Sequence, residues 1–84
     1  MEGDKVVRYN VYEVEPRLGC YRGLSLVAAK SAEEANRIIK NFIKNDPKNY
    51  MDSWGYSQVS DHDLIEGIYS DKEGIVYMGI YYYG

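Results

Sequence analysis

Apolar and polar positions follow their clearest pattern between Gly23 and Ile43. Leu24, Leu26 and Ala28 alternate with Ser25, Val27 and Ala29, as in a strand. The period then changes: Ala35, Ile38, Ile39 and Phe42 recur at helical spacing, with Ala32 and Ile43 widening the same stripe. Between the two, Ser31-Ala32-Glu33-Glu34 has capping-box spacing, in which Ser31 accepts from the Glu34 N–H. The segment therefore reads as a strand running into a capped amphipathic helix whose stripe faces the core. Glu33 and Glu34 at its start, and Arg37, Lys40 and Lys44 further on, complement the helix dipole. Asn45-Asp46-Pro47 stops it, because the residue before proline is pushed out of helical backbone.

On either side the pattern is that of strands. In residues 5–15, Val7, Tyr9 and Val11 share one face while Val6, Tyr12 and Val14 share the other, which predicts a central strand ended by Pro16. Residues 17–23 read as the turn of a long hairpin returning into 24–29. After the helix, 48–53 form a connecting loop and 54–59 a strand of imperfect alternation. Residues 64–70 and 75–83 are strands expected to pair as a hairpin through Asp71-Lys72-Glu73-Gly74, with Gly67 and Gly79 facing one another at a bulge or close approach. The expectation is one α+β domain over residues 1–84. It has a small antiparallel sheet of four or five strands, one helix packed on one face, and ββαββ(β) order. The uncovered face would carry alternating tyrosines, presented to solvent or to a second copy.

A chain of 84 residues buries only about 60–65% of its unfolded surface, so the core must be small. With 45% hydrophobic residues it is nonetheless apolar enough to fold. Ten tyrosines against one Phe and one Trp stand out, since tyrosine joins a large ring to a hydroxyl that tolerates water and suits half-exposed strands and recognition surfaces. The net charge of −3, from interspersed acids and bases, argues against a general nucleic-acid binder. A single cysteine, Cys20, cannot form an internal disulfide, and no run approaches a membrane span or a signal core. A cytoplasmic location and no membrane association are expected.

Candidate chemistry is sparse. Asp61-His62-Asp63 flanks an imidazole with carboxylates, but neighbours on a strand point to opposite faces, and one His in a polar turn supplies too few ligands for zinc. Cys20 would need a base or cation to form a thiolate, and Arg17, Arg22 and His62 are the candidates; an unreactive side chain in a turn is the simpler reading. Gly19-Cys20-Tyr21-Arg22-Gly23 has the glycines of a phosphate loop without its spacing or its strand-to-helix position. It is better read as a turn that grips a partner through Arg17, Tyr21 and Arg22. Lys30, Arg37, Lys40 and Lys44 form a basic ridge read as a solvated helix face. Ile80-Tyr81-Tyr82-Tyr83 is β-prone and uncharged, and an open edge there would have to be paired or covered. No catalytic residue, metal ligand or cofactor is assigned.

Val11-Tyr12-Glu13-Val14, Tyr21-Arg22-Gly23-Leu24, Leu26-Val27-Ala28-Ala29 and Ser31-Ala32-Glu33-Glu34-Ala35 together resemble small uncharacterised proteins of bacteriophages and mobile elements. The resemblance covers about the first half of the chain and implies an accessory role, with no site residues carried over. The leading expectation is a non-enzymatic binding protein, an accessory or inhibitory factor. It would use a protein partner or self-association through a tyrosine-rich surface that includes Arg17, Tyr21, Arg22, Tyr81 and Tyr83. Alternatives are a nucleotide or small-ligand binder and a weak nucleic-acid module, with a small enzyme using Cys20 or His62 last.

Overall fold

The computed structural model describes residues 8–16, 21–45 and 58–82. Among these residues are six strands, β1 (Tyr9–Val14), β2 (Tyr21–Arg22), β3 (Ser25–Ala29), β4 (Leu64–Ser70), β5 (Gly74–Met78) and β6 (Tyr81–Tyr82), and one α-helix, α1 (Ala32–Lys44). The fold is α+β: an antiparallel sheet in the order β4-β1-β3-β5, with β2 and β6 paired as a separate short ribbon.

Helix α1 begins as its letters dictate. The Ser31 hydroxyl accepts from the Glu34 N–H at 3.2 Å, and the Ala35 N–H bonds the Ser31 carbonyl at 3.0 Å. The helix lies on β3 and reaches β5. Strand pairing sets Tyr12 and Val14 opposite Val27 and Ser25, so these side chains share the face that meets the helix. There Tyr12, Val14, Val27 and Ala29 join Ala35 and Ile39 in one buried cluster. Ala29 and Ala35 are small enough to bring helix and strand close, and Ile39 fills the space beside them; burying such a side chain contributes roughly 1.5–3 kcal/mol. Phe42 departs from the expected stripe: at 39% exposure it stands near the helix end, where the sheet no longer covers it.

Of the central strand expected over 5–15, Tyr9–Val14 is β1, bonded to β3 on one side and β4 on the other, and residues 5–7 lie outside the described residues. Beyond the helix, Val59 is buried in the same cluster and is tied to α1 by one side chain. The Asn36 amide accepts from the Val59 N–H at 2.8 Å and donates to the Val59 carbonyl at 2.9 Å and to the Ala32 carbonyl at 3.0 Å. It thus replaces a missing strand neighbour. Gln58 and Val59 are not part of a strand, and the rest of the strand expected over 54–59 lies outside the described residues.

Two expectations for the C-terminal third are corrected. Strands β4 and β5 do not form a hairpin; they occupy opposite edges of the sheet. The hairpin spacing was present, but β1 and β3 each offered a free edge to be covered, and the link of residues 71–73 instead passes the ends of both inner strands. Three strand spacings of about 4.8 Å leave a link this short almost no slack. The Ser70 hydroxyl shapes it, donating to the Lys72 carbonyl at 2.8 Å and accepting from the Lys72 N–H at 3.1 Å.

The long strand expected over 75–83 is also two pieces, broken at Gly79 and Ile80. Its partner breaks at the same level, at Gly23 and Leu24. Across the break the Gly79 N–H bonds the Leu24 carbonyl at 2.9 Å, and β2 and β6 resume the pairing in the register left by β3 and β5. One register thus continues across a break in the ladder into a short arm. The glycine that Gly79 meets is therefore Gly23, not Gly67. A Cβ on Gly23 would collide with the Gly79 carbonyl, and its φ of 94° is itself unfavourable for any other residue. Gly67 has a φ of 83° but open space around it, and sits in an irregular stretch where the step from Asn10 to Tyr12 on β1 is matched by the longer step from Tyr69 to Leu64 on β4.

Three variants measured by chemical denaturation check this account. Gly23→Ala costs about 2–3 kcal/mol, against about 1 kcal/mol for Gly67→Ala, because only the first adds a backbone collision to the unfavourable φ. Asn36→Ala costs about 2 kcal/mol by leaving the Val59 N–H and carbonyl without their partner; a loss below about 0.5 kcal/mol, the range of ordinary surface changes, would remove Asn36 from that role.

Candidate functional site

The register kept across the break in the β3–β5 ladder brings together side chains suited to recognition. In the arm, Arg22 pairs directly with Tyr81 and Tyr21 with Tyr82. Because directly paired residues share a face, Arg22 and Tyr81 project together, away from the helix, whereas Tyr21 packs toward the core with Ile80 and Met78. On that same outer face β5 contributes Tyr77, opposite Leu26. Tyr77 is 55% exposed and Tyr81 56%. Gly79 lies between them, and a Cβ there would enter the Tyr77 ring, so the absent side chain is what lets that ring lie along the strand.

Three of the five residues expected from sequence to form a partner surface, Tyr21, Arg22 and Tyr81, thus meet in the arm, though on two faces: Tyr21 is half-buried, and Arg22 and Tyr81 are exposed. The Arg22 guanidinium donates to the Tyr21 carbonyl at 3.2 Å, which holds it along its own strand. Arg17 and Tyr83 lie outside the described residues, as does Cys20, and with it any meeting of Cys20 and His62. Tyr77 was not singled out in the sequence; the signal was its place, two residues before a glycine in a β-prone run.

The expectation of a face of alternating tyrosines is corrected in part. Tyr12 points toward the helix and is buried, and Tyr69, which pairs with Asn10 at the β4 edge, lies on that side too, with the Arg8 guanidinium 5.4 Å from its ring centre. On the opposite face, Val11 and Ala28 are fully enclosed at the middle of the sheet. Among the described residues the most exposed tyrosines are therefore peripheral: Tyr77 and Tyr81 on the outer face of β5 and β6, and Tyr69 at the β4 edge on the helix side.

Asp61-His62-Asp63 forms a single 3₁₀ turn in which Asp63 serves the backbone. The Asp63 carboxylate accepts from the Ser60 N–H at 2.8 Å, and the Ser60 hydroxyl accepts from the His62 N–H at 3.2 Å. This is a reciprocal cap and leaves the imidazole exposed at the surface. Among the described residues no group of three or more His, Cys, Asp or Glu is placed to hold a metal ion.

A groove of about 440 Å³ runs between α1 and the Val59 segment, lined by Glu33, Arg37, Lys40 and Gln58 among others. Its charges are of both signs and partly satisfied: Arg37 pairs with Glu34 one helical turn away, and that hydrogen bond, with the attraction of the carboxylate, raises the arginine pKa further. Arg37, Lys40 and Lys44 are exposed along the helix, as expected of a solvated ridge. No described helix is long and apolar enough to cross a membrane.

No protein-family model, curated protein or solved structure matches this chain.

The capping role of the acidic turn separates its residues. Asp63→Ala lowers stability by about 1 kcal/mol, whereas His62→Ala stays within about 0.5 kcal/mol of the parent. Equal losses in a denaturation experiment would contradict the assignment of Asp63 as a cap.

Proposed function

We propose that this chain is a non-enzymatic binding protein of the accessory or inhibitory kind that its resemblance to small bacteriophage and mobile-element proteins implies. It captures a protein partner on the outer face of β5 and the arm. The observation that carries the reading is the joint exposure of Tyr77 and Tyr81 on one face, with Arg22 directly across from Tyr81. Tyrosine and arginine are the side chains that most often dominate binding energy, because a rigid ring buries much area at little entropic cost and a guanidinium supplies several donors in a fixed plane.

A second reading, nucleotide binding, draws on the same pair: a base stacks on the Tyr81 ring while Arg22 meets a phosphate.

Replacing both rings, Tyr77→Ser with Tyr81→Ser, weakens partner capture by about tenfold or more in a quantitative pull-down and leaves the circular dichroism spectrum unchanged. Capture at parental strength by a folded double variant would overturn the proposed surface. A nucleotide-dependent rise in thermal midpoint that the same variant abolishes would instead select the second reading.

A further inference from the structure

We infer that Ser25, buried beneath the helix, is a positioning residue for the tyrosine surface: its hydroxyl pins the extra residue in β5 that turns Tyr77 and Tyr81 outward. Side chains alternate along a strand, so in a regular β5 Ile75 and Tyr77 would share one face. Here they do not. Val27 pairs with Ile75 and Leu26 with Tyr77, so Val76 is one residue more than β3 can match. Ile75 therefore packs against the core with Met78 and Ile80, while Tyr77 and Tyr81 stand exposed on the other face. Had the register of Ile75 continued unbroken, Tyr77 would lie opposite Ser25 and Tyr81 opposite Tyr21, both toward the helix, and Met78 and Ile80 would face outward.

Ser25 stands where that slip is taken up. Among the described residues it is the one small polar side chain that is fully enclosed, with Val27 and Ala29 on the same face of β3. A hydroxyl enclosed in this way costs stability unless it is bonded, and alanine, which the core uses at 28, 29 and 35, would fill the place without that demand. The hydroxyl donates at 2.8 Å to the carbonyl of Tyr77, the first residue past Val76. The bond therefore fixes the backbone at the point where the alternation is reset. Ser25 and the tyrosine rings lie on opposite faces of the sheet, so the hydroxyl acts through the backbone and meets nothing bound on the outer face. Its effect on partner capture rests on the function proposed above; its hold on the register does not.

Cross-strand contacts seen by NMR, with nitration of the tyrosine rings by tetranitromethane mapped by mass spectrometry, test it. In the parent, and in Ser25→Thr, which keeps a hydroxyl, the Leu26–Tyr77 and Val27–Ile75 contacts are both present. In Ser25→Ala, Tyr77 moves opposite position 25, and Tyr77 and Tyr81 lose most of their nitration. Deleting Val76 leaves a regular strand with both rings outward, so in that background Ser25→Ala changes neither readout. Parental contacts and nitration in Ser25→Ala overturn the inference, as does an equal effect of that substitution with Val76 deleted. Should Ser25→Ala not fold, the deletion decides: outward rings support the inference, and rings turned inward overturn it. In a quantitative pull-down Ser25→Ala weakens partner capture by about tenfold, as loss of the rings does. Rings turned inward with capture unchanged remove the partner surface and leave the role of Ser25 standing.

Discussion

The burial of β3 on both faces is the constraint around which the fold is organised. Ser25, Val27 and Ala29 are enclosed under the helix and Ala28 on the other side, while the strand bonds β1 along one edge and β5 along the other. Among the described strands no other both pairs on two sides and leads directly into the helix that covers it. Small side chains make this possible, since Ala29 facing Ala35 permits an approach that larger residues would block. The one polar side chain enclosed there is satisfied: the Ser25 hydroxyl donates at 2.8 Å to the Tyr77 carbonyl, beside the extra residue in β5. A buried hydroxyl and an irregularity on the neighbouring strand thus accommodate each other.

Much of this was legible in the letters. The alternation over residues 24–29 and the helical stripe with Ser31 at its head are local signals, and their physics is complete within a few residues, so strand, cap and helix appear where the pattern places them. What the letters did not convey was partner choice among strands. Asp71-Lys72-Glu73-Gly74 suits a hairpin locally, yet β4 and β5 gain more by covering the two free edges of the β1–β3 pair. The role of Asn36 was hidden for the same reason: it reads as one polar letter on a helix, and only tertiary structure brings Val59 to it.

The candidate site shows the same division. Tyr21, Arg22 and Tyr81 could be selected for their chemistry, but their adjacency depends on a register that continues across Gly23 and Gly79. That register also sorts them, sending Arg22 and Tyr81 outward and Tyr21 toward the core. The acidic pair around His62 followed the opposite course. Its composition suggested ligands, while its geometry spends Asp63 on a backbone donor. Residue type proposes a chemistry, and hydrogen-bond accounting decides whether the group is available for it.

The short link between β4 and β5 has a mechanical consequence. Because residues 71–73 run past the ends of β1 and β3 with little slack, the two outer strands behave as the ends of one tightened strap. A displacement of one along its neighbour draws on the other across the full width of the sheet. Load applied at the β5 edge is therefore transmitted to β4, where the irregular stretch around Gly67 provides the only spare length between Ser70 and Leu64.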